Sequence, residues 1–365
     1  MNHAISPEIY EVIQAVHYRP AVSIILPFEP KMSLKAEITQ QLKFATDKVE
    51  KEIRQHYPAE IGALVIQKLR TVIKNLNFNT YKKSIAIYVS PVFEKVLYLD
   101  MEVEARITVD ESFEIRDLIY AKKESQQYLV VLLSGKHSRV FAANADTFIR
   151  IKSNVPDDIS AFDNDAPERV ANFSDPSDHK EIMLKKFLHQ TDLGLGFLLQ
   201  AYPLPVFVAG PAKMLGYFKN ITKNEKSIIS YIHGNYDEAT DAELKEILRL
   251  YVNDWKKVKQ ENLRLQMEKA ADAGKLAIGI KDVWKQATQH HGHLLIVEKS
   301  FMYPAQRGSN NDVRYMPAGP YNKFSYIRDA VDDIIEKVLE NGGDVEFVDD
   351  GMLTNYQRIV LTVYY

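Results

Sequence analysis

The chain has 365 residues, 46% of them apolar and 26% charged, with a formal net charge of -3. That length exceeds what one hydrophobic core organises, so two or three domains are expected. No run approaches the roughly 20 apolar residues of a membrane span, and the absence of cysteine excludes disulfides, thiolate nucleophiles and cysteine-ligated zinc.

The opening MNHAISPEIYEVIQAVHYRP lacks the basic start and apolar core of a secretory signal, so a cytoplasmic location is expected. AVSIILPF (21–28) is a β-branched run closed by Pro27 and Pro30, a strand with a breaker behind it. Leu34, Ile38, Leu42, Ala45, Val49 and Ile53 then step by three or four, and Ile61, Leu64, Val65, Leu69, Val72, Ile73 and Leu76 repeat the pattern. Two amphipathic helices are predicted. SIAIYVS (84–90), KVLYLD (95–100) and ARITVD (105–110) complete an N-terminal α/β domain over 1–124, and the polar run YAKKESQQ (120–127) marks its end.

YLVVLLS (128–134), SRVFAA (138–143) and TFIRIKSNV (147–155) read as a meander opening a domain over 125–272. A long acidic loop follows. Asp178 with Glu181 forms a capping-box pattern before the next helix. LPVFVAG (204–210) is a buried strand, SIISYIHG (227–234) another, and a helix runs from about Thr240 to Ala271. In the last portion, 273–365, a helix IKDVWKQATQHH (280–291) stops at Gly292 before the strand HLLIVEK. A polar insertion, a helix over 323–343 and strands DVEFVDD and RIVLTVYY complete an α/β sandwich.

Charge is unevenly distributed. Residues 31–83 hold eleven Lys/Arg against five Asp/Glu, whereas 156–181 hold eight Asp/Glu against two Lys/Arg. A basic N-terminal surface is suited to nucleic acid. Lys35, Lys43, Lys48, Lys51 and Arg54 lie on the non-apolar side of the first long helix and are the candidate RNA contacts.

Motifs for catalysis are thin. SGKHS (134–138) lacks the earlier glycine and the Ser/Thr of a phosphate loop, and GLGF (194–197) lacks a third glycine. FSDPSDHKE (173–181) crowds Ser, Asp and His too closely in sequence for a triad. DDISAFDND has no EF-hand glycine or terminal glutamate. His291 and His293, two apart in an extended segment, are the only metal-ligand pair worth weighing, and a helix C-terminus explains them better.

In this order the elements resemble the bacterial release-factor-like branch of the archaeal and eukaryotic peptide-chain release factor and Pelota superfamily. YLVVLLSGKHSRVFAANADTFIRIKSNVP is similar to the meander of its middle domain, and FLLQAYPLPVFVAGPAKMLGYFKN to its central helix, strand and turn. AGKLAIGIKDVWKQATQHHGHLLIVEKS, with a strand ending in Glu298, and IIEKVLENGGDVEFVDDGMLTNYQRIVLTVYY resemble the third domain. The resemblance covers about residues 125–365. It implies an RNase H-like middle domain, a C-terminal α/β/α sandwich like ribosomal proteins that bind kinked RNA, and a role on the ribosome in termination, rescue or dormancy.

The departures are chemical. In release factors of this superfamily a Gly-Gly-Gln loop promotes hydrolysis of peptidyl-tRNA. The corresponding DDISAFDNDAPERVANFSDPSDHKE (157–181) contains no glycine and no glutamine, and its negative charge repels phosphate. No Asn-Ile-Lys-Ser tetrapeptide is present for codon reading. The expectation is therefore a non-catalytic ribosome-associated factor with no cofactor, partnered by the ribosome or structured RNA and not by a membrane. The alternatives are a metal-dependent hydrolase or nuclease using the histidines and acidic loop, and a protein-interaction scaffold.

Overall fold

The computed structural model describes residues 7–15, 18–28, 35–80, 82–124, 127–135, 137–144, 148–152, 176–308, 312–317 and 326–364, without the side chains of 35–36 and 176–180. Two compact units result: Met1–Ser125 together with Asn262–Tyr365, and Gln126–Glu261. The architecture is mixed α/β, with several sheets.

The N-terminal part of the first unit runs α1 (Pro7–Ile13), β1 (Ala21–Pro27), α2 (Lys35–His56), α3 (Ala59–Lys74), β2 (Ser84–Val89), β3 (Glu94–Leu99), β4 (Arg106–Asp110) and α4 (Arg116–Glu124). Its strands form an antiparallel sheet in the order β3-β2-β1-β4. Six of the seven positions of β1 are buried, more than a one-sided strand needs. Alternation explains this. Val22, Ile24 and Leu26 pack under α2 and α3 against Leu42, Val49, Val65 and Leu69. Ala21 and Ile25 face the opposite way, where Ile13, Ile119 and the C-terminal residues Trp284 and Ile335 share one core with them. Gly62 brings α3 close to α2, since a Cβ there would lie 2.7 Å from Ile53 Cγ2.

The second unit contains β5 (Tyr128–Leu133), β6 (Ser138–Ala143), β7 (Phe148–Ile151), α5 (Pro176–Ala201), β8 (Val206–Gly210), α6 (Ala212–Ile221), β9 (Ile228–His233) and most of α7 (Asp241–Asp272). Strand order is β7-β6-β5-β8-β9, an antiparallel meander extended by two parallel strands. Leu129, Val131 and Leu133 pack against Phe187, Leu215 and Phe218 of α5 and α6, while Val130 and Leu132 meet Leu244 and Leu248 of α7. Gly210 passes so close to β5 that a Cβ would sit 2.5 Å from the Leu133 carbonyl oxygen. α5 begins at Pro176, so Asp178 lies inside the helix rather than capping it; proline suits a first turn because its missing N–H has no helical partner there. The capping box is at α7 instead, where Thr240 N–H donates to Glu243 (2.9 Å) and Glu243 N–H to Thr240 Oγ1 (3.4 Å).

After α7 the chain continues through β10 (Leu276–Ile278), α8 (Gly279–Thr288), β11 (Gly292–Glu298), β12 (Ala305–Arg307), β13 (Val313–Tyr315), β14 (Tyr326–Ile327), α9 (Ala330–Glu340), β15 (Asp344–Val348) and β16 (Ile359–Val363). The sheet β10-β16-β11-β15 is covered by α8 and α9 through Trp284, Ile334 and Val338, and by the end of α7 through Leu263 and Met267. Within the polar insertion, β13-β12-β14 forms a small sheet that its polar sequence conceals. Two predicted helices shorten. The one expected over 323–343 starts only at Ala330, where Asp329 caps it by accepting from Val331 N–H (3.1 Å). The one expected over 280–291 ends at Thr288, and the left-handed turn falls on His290 (φ 62°) while Gly292 already belongs to β11.

Candidate nucleic-acid interface

The buried stripe of α2 (Ile38, Leu42, Ala45, Val49, Ile53) fixes which residues can face solvent. Lys43, Lys48 and Lys51 are exposed on the far side and make no ion pair among the described residues. Arg54 is placed differently. Its guanidinium pairs with Glu50, whose other oxygen accepts from Arg70 of α3 at 2.6 Å. Arg54, Arg70 and Lys74 thus border an α2–α3 groove of about 660 Å³ in which Glu50 already neutralises part of the positive charge. Lys35 is the first residue of α2, and its side chain lies outside the described residues. The five sequence-selected cations therefore divide into three uncommitted lysines, one paired arginine and one lysine without a described side chain.

Of the acidic segment 157–181, residues 157–175 lie outside the described residues and 176–181 form the start of α5. The histidines do not converge. His291 Nδ1 is 3.0 Å from Gln286 Oε1, whereas His293 Nδ1 is 3.4 Å from Thr362 Oγ1 and its ring meets Tyr364 edge-on at 4.8 Å. Among the described residues no three His, Asp or Glu side chains are grouped to hold a metal ion.

Glu298, the glutamate that ends β11, is 1% exposed. Its carboxylate accepts from the N–H groups of Gly351 and Leu353, both at 2.9 Å, and from Arg358 Nε at 2.6 Å. It pins the β15–β16 connection to the sheet, a structural role.

Sequence reasoning missed a second polar centre, where the two parts of the first unit meet. Asp332 Oδ1, on α9, accepts from Ile115 N–H (3.0 Å) and Arg116 N–H (2.7 Å), so it caps α4 from a remote part of the chain. Arg116 returns the interaction by donating to Asp329 Oδ2 (2.8 Å) and to the Lys299 carbonyl (2.6 Å). Further along α4, Lys123 pairs with Asp344 and Glu346, and Tyr120 packs edge-on against Phe347.

Beside this clamp a cavity of about 280 Å³ is lined by Asp110, Glu114, Arg307, Asp333, Glu336 and Lys337, among others. Burial pushes Glu114 up to about 7, against the pull of Arg106 and with Asp329 and Asp117 adding to the rise. Burial likewise raises Asp333 to about 6 and Glu336 to about 8, the latter helped by Asp333 and Glu340. Asp332 is raised well above the usual carboxylate range by burial, then by Glu114, Asp329 and Glu336. Shifted carboxyls in a cavity are a common mark of catalysis, but structural networks produce them too. Here Asp332 and Asp329 use their oxygens on backbone N–H groups and Arg116, the pattern of a joint. The Asp329-x-x-Asp332 spacing at a helix start was the available sequence signal.

Residues 127–291 match the family model described as bacterial archaeo-eukaryotic release factor family 3. The chain is also similar to solved structures. An archaeal translation termination factor, aRF1, shares 13% identity over 98% of this chain and 97% of that one, with a TM-score of 0.25. Dom34 of S. cerevisiae, described as a translation termination-like factor involved in RNA quality control pathways, shares 11% over 79% and 75%, TM-score 0.41. Archaeal Pelota, in a ribosome-bound model with ABCE1, shares 9% over 98% and 93%, TM-score 0.45. No curated protein sequence matches. Among the described residues, no helix is long and apolar enough to cross a membrane.

Proposed function

We propose that this protein is a ribosome-associated translation factor, acting in a termination-like, rescue or dormancy setting, that does not hydrolyse peptidyl-tRNA. The observation that carries the reading is the release-factor match over 127–291 in a chain whose segment 157–181 holds neither glycine nor glutamine. With eight acidic residues between 156 and 181, that segment opposes entry into a phosphate-lined site, so affinity for RNA must come from elsewhere. Lys43, Lys48 and Lys51 supply it on this reading. The hydrolase alternative is less well supported, because the partners of His291 and His293 are Gln286, Thr362 and Tyr364 rather than carboxylates.

Co-sedimentation of the full chain with purified ribosomes tests the reading. Co-migration at moderate salt and its loss at high salt are expected; free protein even at low salt, with ribosomes from growing and starved cells alike, would sink it. Release of labelled peptide from ribosomal peptidyl-tRNA on adding the protein would refute the non-hydrolytic part.

A further inference from the structure

Phe44 is 67% exposed, the highest value among the large apolar side chains described. Its position explains why it was not folded away. At 100° per residue it lies opposite the stripe Ile38, Leu42, Ala45, Val49 and Ile53, and it breaks the step of three and four that the stripe follows. Lys43, Lys48 and Lys51 occupy the same exposed arc, with Phe44 between them along the axis, and the three lysines span about 12 Å of helix at 1.5 Å per residue. Asp47 shares the arc, yet none of the three lysines forms an ion pair with it. The surface therefore combines one open aromatic face with three uncommitted cations.

We propose that Phe44 is a stacking platform for an unpaired RNA base, with Lys43, Lys48 and Lys51 holding the phosphates on either side. The inference rests on the reading of α2 as the RNA-contacting face and makes the ligand specific. Every base offers a π-face, so stacking is tolerant of sequence, and it requires a base that is free to leave its helix. A paired base in A-form RNA is not available to an aromatic side chain on a convex helix, because its faces are already stacked. Acidic groups alone would satisfy the lysines but not the ring, whereas a single nucleic-acid strand supplies both phosphates for the lysines and a π-face for Phe44. Phe44 contributes no charge, so its removal should change affinity without changing salt dependence, whereas removal of the lysines should change both.

The test uses the full chain and two labelled RNAs of equal length and charge, an unstructured oligonucleotide and a perfectly paired duplex, read by fluorescence anisotropy. Phe44→Ala is expected to weaken binding to the unstructured RNA about tenfold or more, to leave duplex binding within about twofold, and to keep the salt slope of wild type. Phe44→Trp should retain affinity and Phe44→Leu should not, which separates stacking from mere apolar contact. Equal binding of both RNAs by Phe44→Ala and wild type would overturn the proposal, as would equal losses on the two RNAs. Phe44-dependent binding of a poly-glutamate peptide in place of RNA would also overturn it. Ribosome co-sedimentation run in parallel separates the two readings. Intact co-sedimentation with no Phe44 effect removes only the stacking inference, whereas a Phe44 effect on RNA without ribosome binding removes only the ribosomal role.

Discussion

Asp332 carries the most informative perturbation. Its Oδ1 is the acceptor for two consecutive N–H groups, Ile115 and Arg116, at the start of α4, and Asp332 is 4% exposed. Asp332→Ala leaves both donors buried without a partner, and each such donor costs about 1–3 kcal/mol. Some relief comes from removing a carboxyl from beside Glu114, Asp329 and Glu336. The expected net loss is about 3 kcal/mol, or roughly 6–12 °C in the melting transition of a unit of this size. Asp332→Asn provides the control. Burial and the neighbouring acids raise the Asp332 carboxyl well above the usual range, and asparagine, of the same shape, keeps a carbonyl oxygen where Oδ1 accepts from the two N–H groups. A cost below about 1 kcal/mol is expected. Calorimetry gives the transition, and hydrogen exchange in a peptide spanning 112–124 reports the two amides directly. If Asp332→Ala melts no earlier than Asp332→Asn, or if asparagine is as damaging as alanine, the reciprocal cap does not hold the joint.

Stability of the first unit should fall as pH rises from about 5 to 9. Glu114 and Glu336 have folded-state values of about 7 and 8 against an ordinary 4.5, so the folded state binds the extra protons, and the stability they provide is complete below about 4.5 and lost through 7–8. Glu336→Gln should flatten that decline and gain roughly 2–4 kcal/mol at pH 9 relative to wild type while changing little at pH 5; an unchanged pH profile would count against it. The triple variant Lys43→Ala, Lys48→Ala, Lys51→Ala should lower the slope of log K against log salt for ribosome binding by about 2–3, and an unaltered slope would remove α2 from the interface. Glu298→Ala should cost about 2–4 kcal/mol, measured by denaturant unfolding, because Gly351 and Leu353 lose their acceptor; Glu298→Gln should recover part of it.

What could be read from the sequence depended on how local its cause was. The spacing of Ile38, Leu42, Ala45, Val49 and Ile53 identified α2 because one-sided burial imposes its period on the chain, and the same spacing placed Lys43, Lys48 and Lys51 outside. β1 was legible as a strand, but the fact that one of its faces shares a core with Trp284 and Ile335 belongs to tertiary structure. The nine residues of α4 were invisible for the same reason. A helix that short is marginal alone, and its cap arrives from Asp332, over two hundred positions away. His290 shows a smaller failure of the same kind. Glycine is the usual left-handed residue at a helix end, but a histidine can occupy that conformation, and here it turns the chain two residues before Gly292. Arg54 looked as available as its neighbours until Glu50 and Arg70 were brought together by the packing of α3 on α2.

The polar character of the joint has a consequence for assembly. The first unit is made of two stretches separated by Gln126–Glu261, so its halves must meet across an intervening chain. For a loop on the order of 140 residues the closure entropy is about 4 kcal/mol, and contacts between the halves must exceed it. Apolar contacts through Ile13, Ile119, Trp284 and Ile335 can supply that energy, but they do little to define one alignment. Hydrogen bonds define it better, because Asp332 reaches both N–H groups only when the first turn of α4 sits over the first turn of α9. Burying such a cluster need not add net stability over an apolar joint of equal volume. Its effect is a penalty on every misaligned pairing, since a slipped α4 would leave Arg116, Asp329 and Asp332 buried and unmatched. On that argument, replacing all three by apolar residues of similar size should leave the unit folded but with broadened α4 exchange, whereas replacing any one of them alone should destabilise it.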